Sequence, residues 1–483
     1  MSLARKIFDV GLWTGVSRVL GFVRDMLVGR YLGAGRLSDI FLAAFKLPNL
    51  FRDLLGEGAL SSVFIPLFSK EKKSESFASN AFSWLMSALL VITVLVEIFM
   101  PLVILGFAPG FDAEKMRMTV EIARVMFFYV ILVCGVGFLS AVLNAFSDFA
   151  AAAFIPVLLN VFLIAGLLAF GADLHALAFS VLAAGVVQFA ILYARLRRRN
   201  FGIRLIRPRL TPLLRSLVGR MGWGFIGSGF YQLNIIVGVL LASYQSGAVS
   251  YLYYADRMVQ LPFAIIGLAA GTVILTKISD AISAKRMGIV HQYQNAAMRQ
   301  SMMLTLPCMA GLFSLAEPII RILFEHGEWT HGATIAVATA IMAQVFSLPF
   351  MTTSQIYLKT LYASGDARTP VKISAISLAI GVAVMLALVR HIGYLCVPFG
   401  TVVSGIVRNR WMYMVCLRRG LFAMRKKTMI ANWAFLALSA AMGVGLWFAK
   451  PLAGDILALG IIMALSAIIY LPIAFFCDKI IGK

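Results

Sequence analysis

Long apolar runs alternate with short polar stretches along the whole chain. Fourteen runs are long enough to cross a bilayer, from 7–30 and 36–55 through 213–243 and 249–276 to 429–449 and 455–477. A run of roughly 20 apolar residues spans the hydrocarbon core as a helix. In lipid each backbone N–H and C=O must be satisfied within the segment, so these runs predict helices. The fold class expected is an all-α polytopic membrane protein of about 14 transmembrane helices. The stretch 59–70, ALSSVFIPLFSK, is too short to span and is expected at the cytoplasmic interface.

The pattern also repeats. Residues 33–48 read GAGRLSDIFLAAFKLP and residues 247–262 read GAVSYLYYADRMVQLP, an offset of 214. LNAFSD at 143–148 is matched by LYASGD at 361–366, an offset of 218. Offsets this close imply two six-helix lobes, 1–200 and 201–420, followed by two appended helices in 421–483. Six is even, so the lobes share an orientation and are related by a pseudo-two-fold axis along the membrane normal. A site between the lobes near mid-depth follows from that architecture.

Some runs carry charges where lipid should be. Span 1 holds Arg18, Arg24 and Asp25; span 2 holds Asp39, Lys46, Asn49, Arg52 and Asp53; span 8 holds Asp256, Arg257 and Gln260. Asp39, Lys46 and Asp53 are seven apart and form one stripe with Asn49 beside it, and Arg18 and Asp25 share that spacing. Arg257 and Gln260 lie one turn apart, with Tyr253 a turn earlier. Each arginine facing hydrocarbon costs about 2.5–3.5 kcal/mol on insertion scales. These groups are therefore expected to line a hydrated cavity and to bind substrate. The plainer reading is internal pairing, for instance Arg24 with Asp39 or Arg257 with Asp53. Arginine outnumbers lysine four to one in this set, and its planar fork suits bidentate phosphate binding. An anionic substrate is expected, and a cationic drug is disfavoured. Gly21, Pro48, Gly58 and Pro262 are the candidate hinges of a bundle that moves.

Composition agrees: 61% hydrophobic, 13% charged and a mean hydropathy of +0.90 exclude a soluble enzyme, a disordered chain and a coiled coil. The net charge of +22 could suggest nucleic acid, but its distribution assigns it otherwise. Loops on the side of the N-terminus carry 27 Lys and Arg, those on the opposite side 6. That asymmetry predicts both termini on the cytoplasmic side and no nucleic-acid partner. The arginines of 195–209 are expected to set topology, with anionic lipid contact secondary. The first run carries Arg18 and Arg24 and lacks a small-residue cleavage site, so it is expected to be an uncleaved span. Cys134, Cys308, Cys396, Cys416 and Cys477 show no paired spacing and are expected to be reduced packing residues. The five histidines show no metal spacing. No phosphate-cradling loop, GxSxG or HExxH occurs, so no catalytic residue, metal site or cofactor is expected.

The stretches SRVLGFVRD (17–25), KLPNLFRDLLGEGALSSVFIP (46–66), YYADRMVQLP (253–262) and GDARTPVKI (365–373) resemble the MurJ (MviN) lipid II flippases, part of the MOP superfamily that also holds MATE-type exporters. The resemblance implies transfer of lipid II, an undecaprenyl-diphosphate-linked disaccharide-pentapeptide, from the inner to the outer leaflet for peptidoglycan synthesis. It implies that Arg18, Arg24, Arg52 and Arg257 are the essential cavity arginines and that Asp39 is a family acidic position. It implies a lipid-tail groove formed by the last two spans. Gln260 stands where some members carry Glu, and Asp53 where some carry a second basic residue. Some members bind sodium through carboxylates in the C-terminal lobe; spans 7, 11 and 12 have none here. Coupling is therefore expected from membrane potential or a monovalent ion. The expected partners are lipid II, membrane lipids and cell-wall synthesis proteins, with the chain acting as a monomer in the bacterial inner membrane. The alternatives are a flippase for another polyprenyl-linked oligosaccharide and a non-transporting scaffold of cell-wall synthesis.

Overall fold

The computed structural model describes residues 3–53, 59–267, 271, 278–282, 284 and 286–482. Among them there are helices and loops and no strand. Two compact units divide the chain: Met1–Val249 with His326–Trp329, and Ser250–Glu325 with Thr330–Lys483.

The first unit begins with α1 (Leu3–Leu32) and α2 (Arg36–Phe51), then the short α3 (Ala59–Lys70). It continues through α4 (Glu75–Ile98), α5 (Met100–Phe107), α6 (Ala113–Phe127), α7 (Tyr129–Ala145), α8 (Phe149–Phe170), α9 (Leu174–Arg197) and α10 (Pro212–Ala242). α1 packs along α8, α2 along α6, and α9 against both α7 and α8. α3 is more than an interfacial helix. Its Phe64 and Phe68 are fully buried and stacked on each other; Phe64 also stacks on Phe77 and meets Phe138 at a tilt, and Phe68 meets Phe146 and Phe201 edge-on. Packing of this kind adds about 0.5–1.5 kcal/mol per ring pair beyond area burial.

The second unit holds α11 (Ala248–Pro262), α12 (Met287–Phe324), α13 (His331–Gln344), α14 (Leu348–Ala363), α15 (Arg368–Ile392), α16 (Cys396–Arg418), α17 (Lys426–Ala449) and α18 (Ile456–Gly482). α12 packs on α13, α14 and α17; α15 packs on α16, and α17 on α18. All five cysteines are free thiols.

By length and composition, nine stretches among the described residues could cross a membrane. One of them, Arg368–Arg418, takes in both α15 and α16. α2 and α11, at 16 and 15 residues, are too short to be among the nine, and α1, at 30 residues, is not among them because polar side chains interrupt its apolar pattern. Those helices carry every candidate binding residue except Arg52 and Asp53, which follow the end of α2.

The two halves repeat local backbone geometry. Gly33 and Gly247, which precede α2 and α11, both take positive φ, +66° and +79°. At Gly33 the reason is steric as well, since a Cβ would meet the Glu328 carbonyl oxygen at 2.5 Å. After α7, Ser147 has φ +60°, and after α14, Gly365 has φ +84°. Each elbow ends in an aspartate held by the end of a later helix. Asp148 accepts from Arg195 Nε (2.8 Å) in the last turn of α9 and from Arg199 Nη2 (2.8 Å) just beyond it. Asp366 accepts from Arg419 beyond α16, and from the backbone N–H of Arg368 and Thr369.

Burial alone would raise the Asp148 carboxyl; hydrogen bonds and charge from Arg195 and Arg199 outweigh it and hold it below the ordinary range. Hydrogen bonds from Thr369, reinforced by Arg419, hold Asp366 well below that range. A carboxylate with a lowered folded pKa contributes stability that is complete above its unfolded pKa of about 4 and lost as pH falls through the folded value. Asp148→Asn combined with Asp366→Asn should lower the thermal midpoint of the purified chain at pH 7. It should also flatten the decline in that midpoint below about pH 4. An unchanged acid slope would show that neither elbow contributes.

Pro48 interrupts α2, and Pro262, at the equivalent repeat position, ends α11. A proline in a helix removes one ladder bond and crowds the carbonyl four residues back. Wide π-type turns follow both: Arg52–Asp53 after α2, and Phe263–Gly267 after α11. Gly21 lies in α1, where a Cβ would make only an ordinary 3.5 Å contact with Asn160. Gly58 lies outside the described residues.

Candidate functional site

The first unit buries three of the candidate charges, Arg24 and Asp25 of α1 and Asp39 of α2, and buries them paired. Arg24 and Asp25 are adjacent in α1, and both are buried. Arg24 Nη2 donates to Asp25 Oδ1 at 2.6 Å, and Nη1 donates to Asn160 Oδ1 at 3.0 Å. Asn160, in α8, donates in turn to the Ser17 carbonyl at 2.9 Å. One amide from a neighbouring helix thus fixes the guanidinium and ties α8 to the backbone of α1. The seven-residue spacing of Arg18 and Asp25 does not place them in like surroundings: Arg18 is exposed and Asp25 is buried. Among the described residues Arg18 has no hydrogen bond or ion pair.

On α2 the stripe divides by depth. Asp39 is 0% exposed. Its Oδ2 accepts from Lys115 Nζ at 2.7 Å and from the Gly247 backbone N–H at 2.9 Å. Lys115, buried at the start of α6, also lies over the Phe111 ring, 4.0 Å from its centroid. Lys46 and Asn49 are half-buried. Asn49 Nδ2 donates to the Phe45 carbonyl of its own helix at 2.8 Å, and its Oδ1 is buried with no partner among the described residues. Arg52 Nη2 donates to Asp53 Oδ1 at 3.0 Å, and Gln232 of α10 donates to Asp53 Oδ2 at 3.1 Å. Both side chains of the Arg52–Asp53 pair are about one-third exposed.

In the second unit Arg257 is exposed on α11. Its guanidinium lies over the Tyr253 ring, 5.3 Å from the centroid, and donates to the Tyr253 hydroxyl from Nε (3.3 Å) and Nη2 (3.2 Å). Tyr253, one turn earlier, therefore orients this guanidinium. Asp256 accepts from Gln260 of the same helix and from Gln344 Nε2 at 3.0 Å.

Partner choice is what sequence reasoning missed. Of the two alternative pairings, Arg24 with Asp39 is replaced by Arg24 with Asp25 and Asp39 with Lys115. Lys115, one of the six basic residues that the loop count places opposite the N-terminus, is buried. Asn160, Gln232 and Gln344 carry no charge and sit in ordinary apolar runs, so no signal marked them. Chemically, the set offers two exposed arginines, Arg18 and Arg257, and two arginines held by the aspartate next in sequence, Arg24 and Arg52. Guanidinium groups already donating to carboxylate, amide or phenol oxygens are suited to exchange such an acceptor for a phosphate oxygen. No group of three or more His, Cys, Asp or Glu that could hold a metal ion occurs among the described residues.

Comparison with known proteins gives concordant matches. The family model described as "Lipid II flippase MurJ" matches residues 28–467. A "Probable lipid II flippase MurJ" of Rhizobium tropici is 34% identical over 459 residues, covering 92% of this chain and 86% of that protein. Among solved structures, a lipid II flippase MurJ in an inward closed conformation superposes with a TM-score of 0.86 at 22% identity, covering 98% of this chain and 99% of the other. An inward-facing MATE transporter of the MOP superfamily gives a TM-score of 0.70 at 17% identity, over 83% of this chain and 94% of the other.

Proposed function

This chain belongs to the MurJ lipid II flippase family, and from that premise we propose that it carries lipid II from the inner to the outer leaflet of the bacterial cytoplasmic membrane. The match across residues 28–467 is the observation that carries the proposal. The chemistry of the chain supports it. The substrate has an anionic diphosphate head, and Arg18 and Arg24 lie in α1, Arg52 at the end of α2 and Arg257 in α11. A diphosphate presents the paired oxygens that a guanidinium fork binds best. The polyprenyl tail stays in lipid, and the head is carried as the arginine-bearing helices become open first to one side of the membrane and then to the other. Arg24 and Arg52 exchange their aspartate partners for phosphate oxygens during capture.

The proposal extends to setting and drive. Both termini lie in the cytoplasm, following the 27 to 6 distribution of basic residues. A bound diphosphate moving with its arginines responds to the membrane potential by about 2.3 kcal/mol per net charge per 100 mV, which supplies a drive without a bound cofactor or sodium ion. The internal repeat makes one copy of the chain sufficient, so it acts as a monomer beside the proteins of cell-wall synthesis.

The test is complementation of bacteria depleted of their own lipid II flippase, with outer-leaflet lipid II quantified by an externally added cleaving enzyme. The expected result is restored growth together with restored external cleavage. Expression in the membrane without external cleavage would overturn the lipid II assignment and make another polyprenyl-linked oligosaccharide the substrate to try next.

A further inference from the structure

The stretch 195–215, from the last turn of α9 through the connection into the first turn of α10, carries eight arginines and no carboxylate. Two of them, Arg195 and Arg199, are engaged by Asp148. The rest of the connection is not a loose basic linker. From 201 to 211 it runs without helix, and four side chains of the first turns of α4 hold its backbone. Glu75 accepts from Gly202 N–H (2.8 Å), Ser79 from Arg204 N–H (3.1 Å), and Ser83 from Ile206 N–H (2.8 Å). Asn80 both accepts from Arg209 N–H (2.8 Å) and donates to Arg209 O (2.8 Å). Backbone satisfaction of this kind fixes the segment in place and turns its side chains outward.

The side chains turned outward are of two kinds. Arg204, Arg207 and Arg209 are exposed, and between them Leu205 is 73%, Ile206 40% and Leu210 62% exposed. Large aliphatic side chains left bare on a pinned segment call for an apolar neighbour. The arginines interleaved with them call for anions. A membrane face meets both demands at once, with phosphates at the level of the guanidinium groups and acyl chains just beneath. The position fits as well, because the segment joins the end of one long helix to the start of the next and must run along the membrane face between them.

We propose that residues 204–210 form a docking surface for anionic phospholipid headgroups in the cytoplasmic leaflet, with the arginines on the phosphates and Leu205, Ile206 and Leu210 in the acyl boundary. It rests on the proposed orientation, which places the ends of α9 and α10 in the cytoplasm. The pinned segment is then a lipid-sensing face of the first unit, separate from the arginines that handle the substrate.

The experiment uses the purified full chain. Equilibrium binding of phosphatidylglycerol and of phosphatidylcholine is measured by native mass spectrometry for wild type and for the R204Q/R207Q/R209Q variant. A basic residue near an anionic surface contributes about fivefold in affinity, so losing three should reduce the preference for phosphatidylglycerol by roughly tenfold or more. A second variant, S79A/S83A, keeps every arginine and removes two of the four tethers; it should show a smaller loss. Wild type without a preference, or a triple variant that retains it, would overturn the surface. Full preference in S79A/S83A would overturn the role of the pinned geometry. Orientation is read independently as the labelling that Arg207→Cys adds over wild type with a membrane-impermeant maleimide. Labelling only after the cells are opened is expected. Labelling of intact cells would overturn the orientation, whatever the lipid preference in solution.

Discussion

Arg257→Ala should abolish external lipid II in flippase-depleted cells while the chain folds and inserts at wild-type levels. Arg257 is exposed on α11 and donates to the Tyr253 hydroxyl, so its substitution removes an exposed side chain rather than a buried one. The thermal midpoint should therefore stay close to that of wild type. A charge-assisted hydrogen bond contributes about 1.5–3 kcal/mol, so a lost bidentate contact lowers affinity for the diphosphate by one to two orders of magnitude at least. Arg257→Lys should remain deficient, because an ammonium restores charge but neither the fork nor the stacking on Tyr253. Arg24→Ala should also abolish transport, by a different route. It removes a guanidinium hydrogen-bonded to Asp25 and Asn160 in a buried site, so a lower thermal midpoint should accompany the lost activity. Measured at matched expression, wild-type external cleavage by Arg257→Ala would show that the arginine is not part of the substrate path.

Breaking the ion pair between Asp39 and Lys115 should destabilise the chain more than any other single change considered. Both partners are buried, at 0% and 5% side-chain exposure. Removing one partner of a buried pair leaves an uncompensated charge and costs about 3–5 kcal/mol. Asp39 also accepts from the Gly247 N–H, so Asp39→Ala orphans a buried backbone donor as well as the ammonium. Lys115→Met removes the ammonium and leaves the carboxylate with Gly247 alone among these two donors. Both single variants should show clearly lowered thermal midpoints, and Asp39→Asn should be the mildest because it can still accept from Gly247. The double variant Asp39→Asn with Lys115→Met should be more stable than the sum of its parts, since it contains no uncompensated charge. Additive losses in that cycle would refute a direct coupling of the two residues.

The elbows show how far a sequence pattern reaches. LNAFSD and LYASGD were legible as equivalent turns ending in aspartate, and the backbone confirms the match at Ser147 and Gly365. That each aspartate clamps the far end of a later helix was not legible. Asp148 and Arg195 are 47 residues apart, and Asp366 and Arg419 are 53 apart. The run 59–70 shows the reverse limit. Its length excluded a span, but only packing revealed that Phe64 and Phe68 are core residues rather than an interfacial face.

The sequence by itself determined the helical membrane class and which of its apolar runs carry charged side chains. Those conclusions follow from local quantities: apolar run length, charge count and the cost of an arginine in hydrocarbon. The tertiary structure alone decided which charges are buried together and which stand exposed. Helical periodicity relates residues only on one helix, whereas Arg24 finds Asn160 at 136 residues' distance, and Asp39 finds Lys115 at 76 and Gly247 at 208. Burial in low dielectric makes each of those pairings obligatory, and only the packing of one helix on another selects the partner.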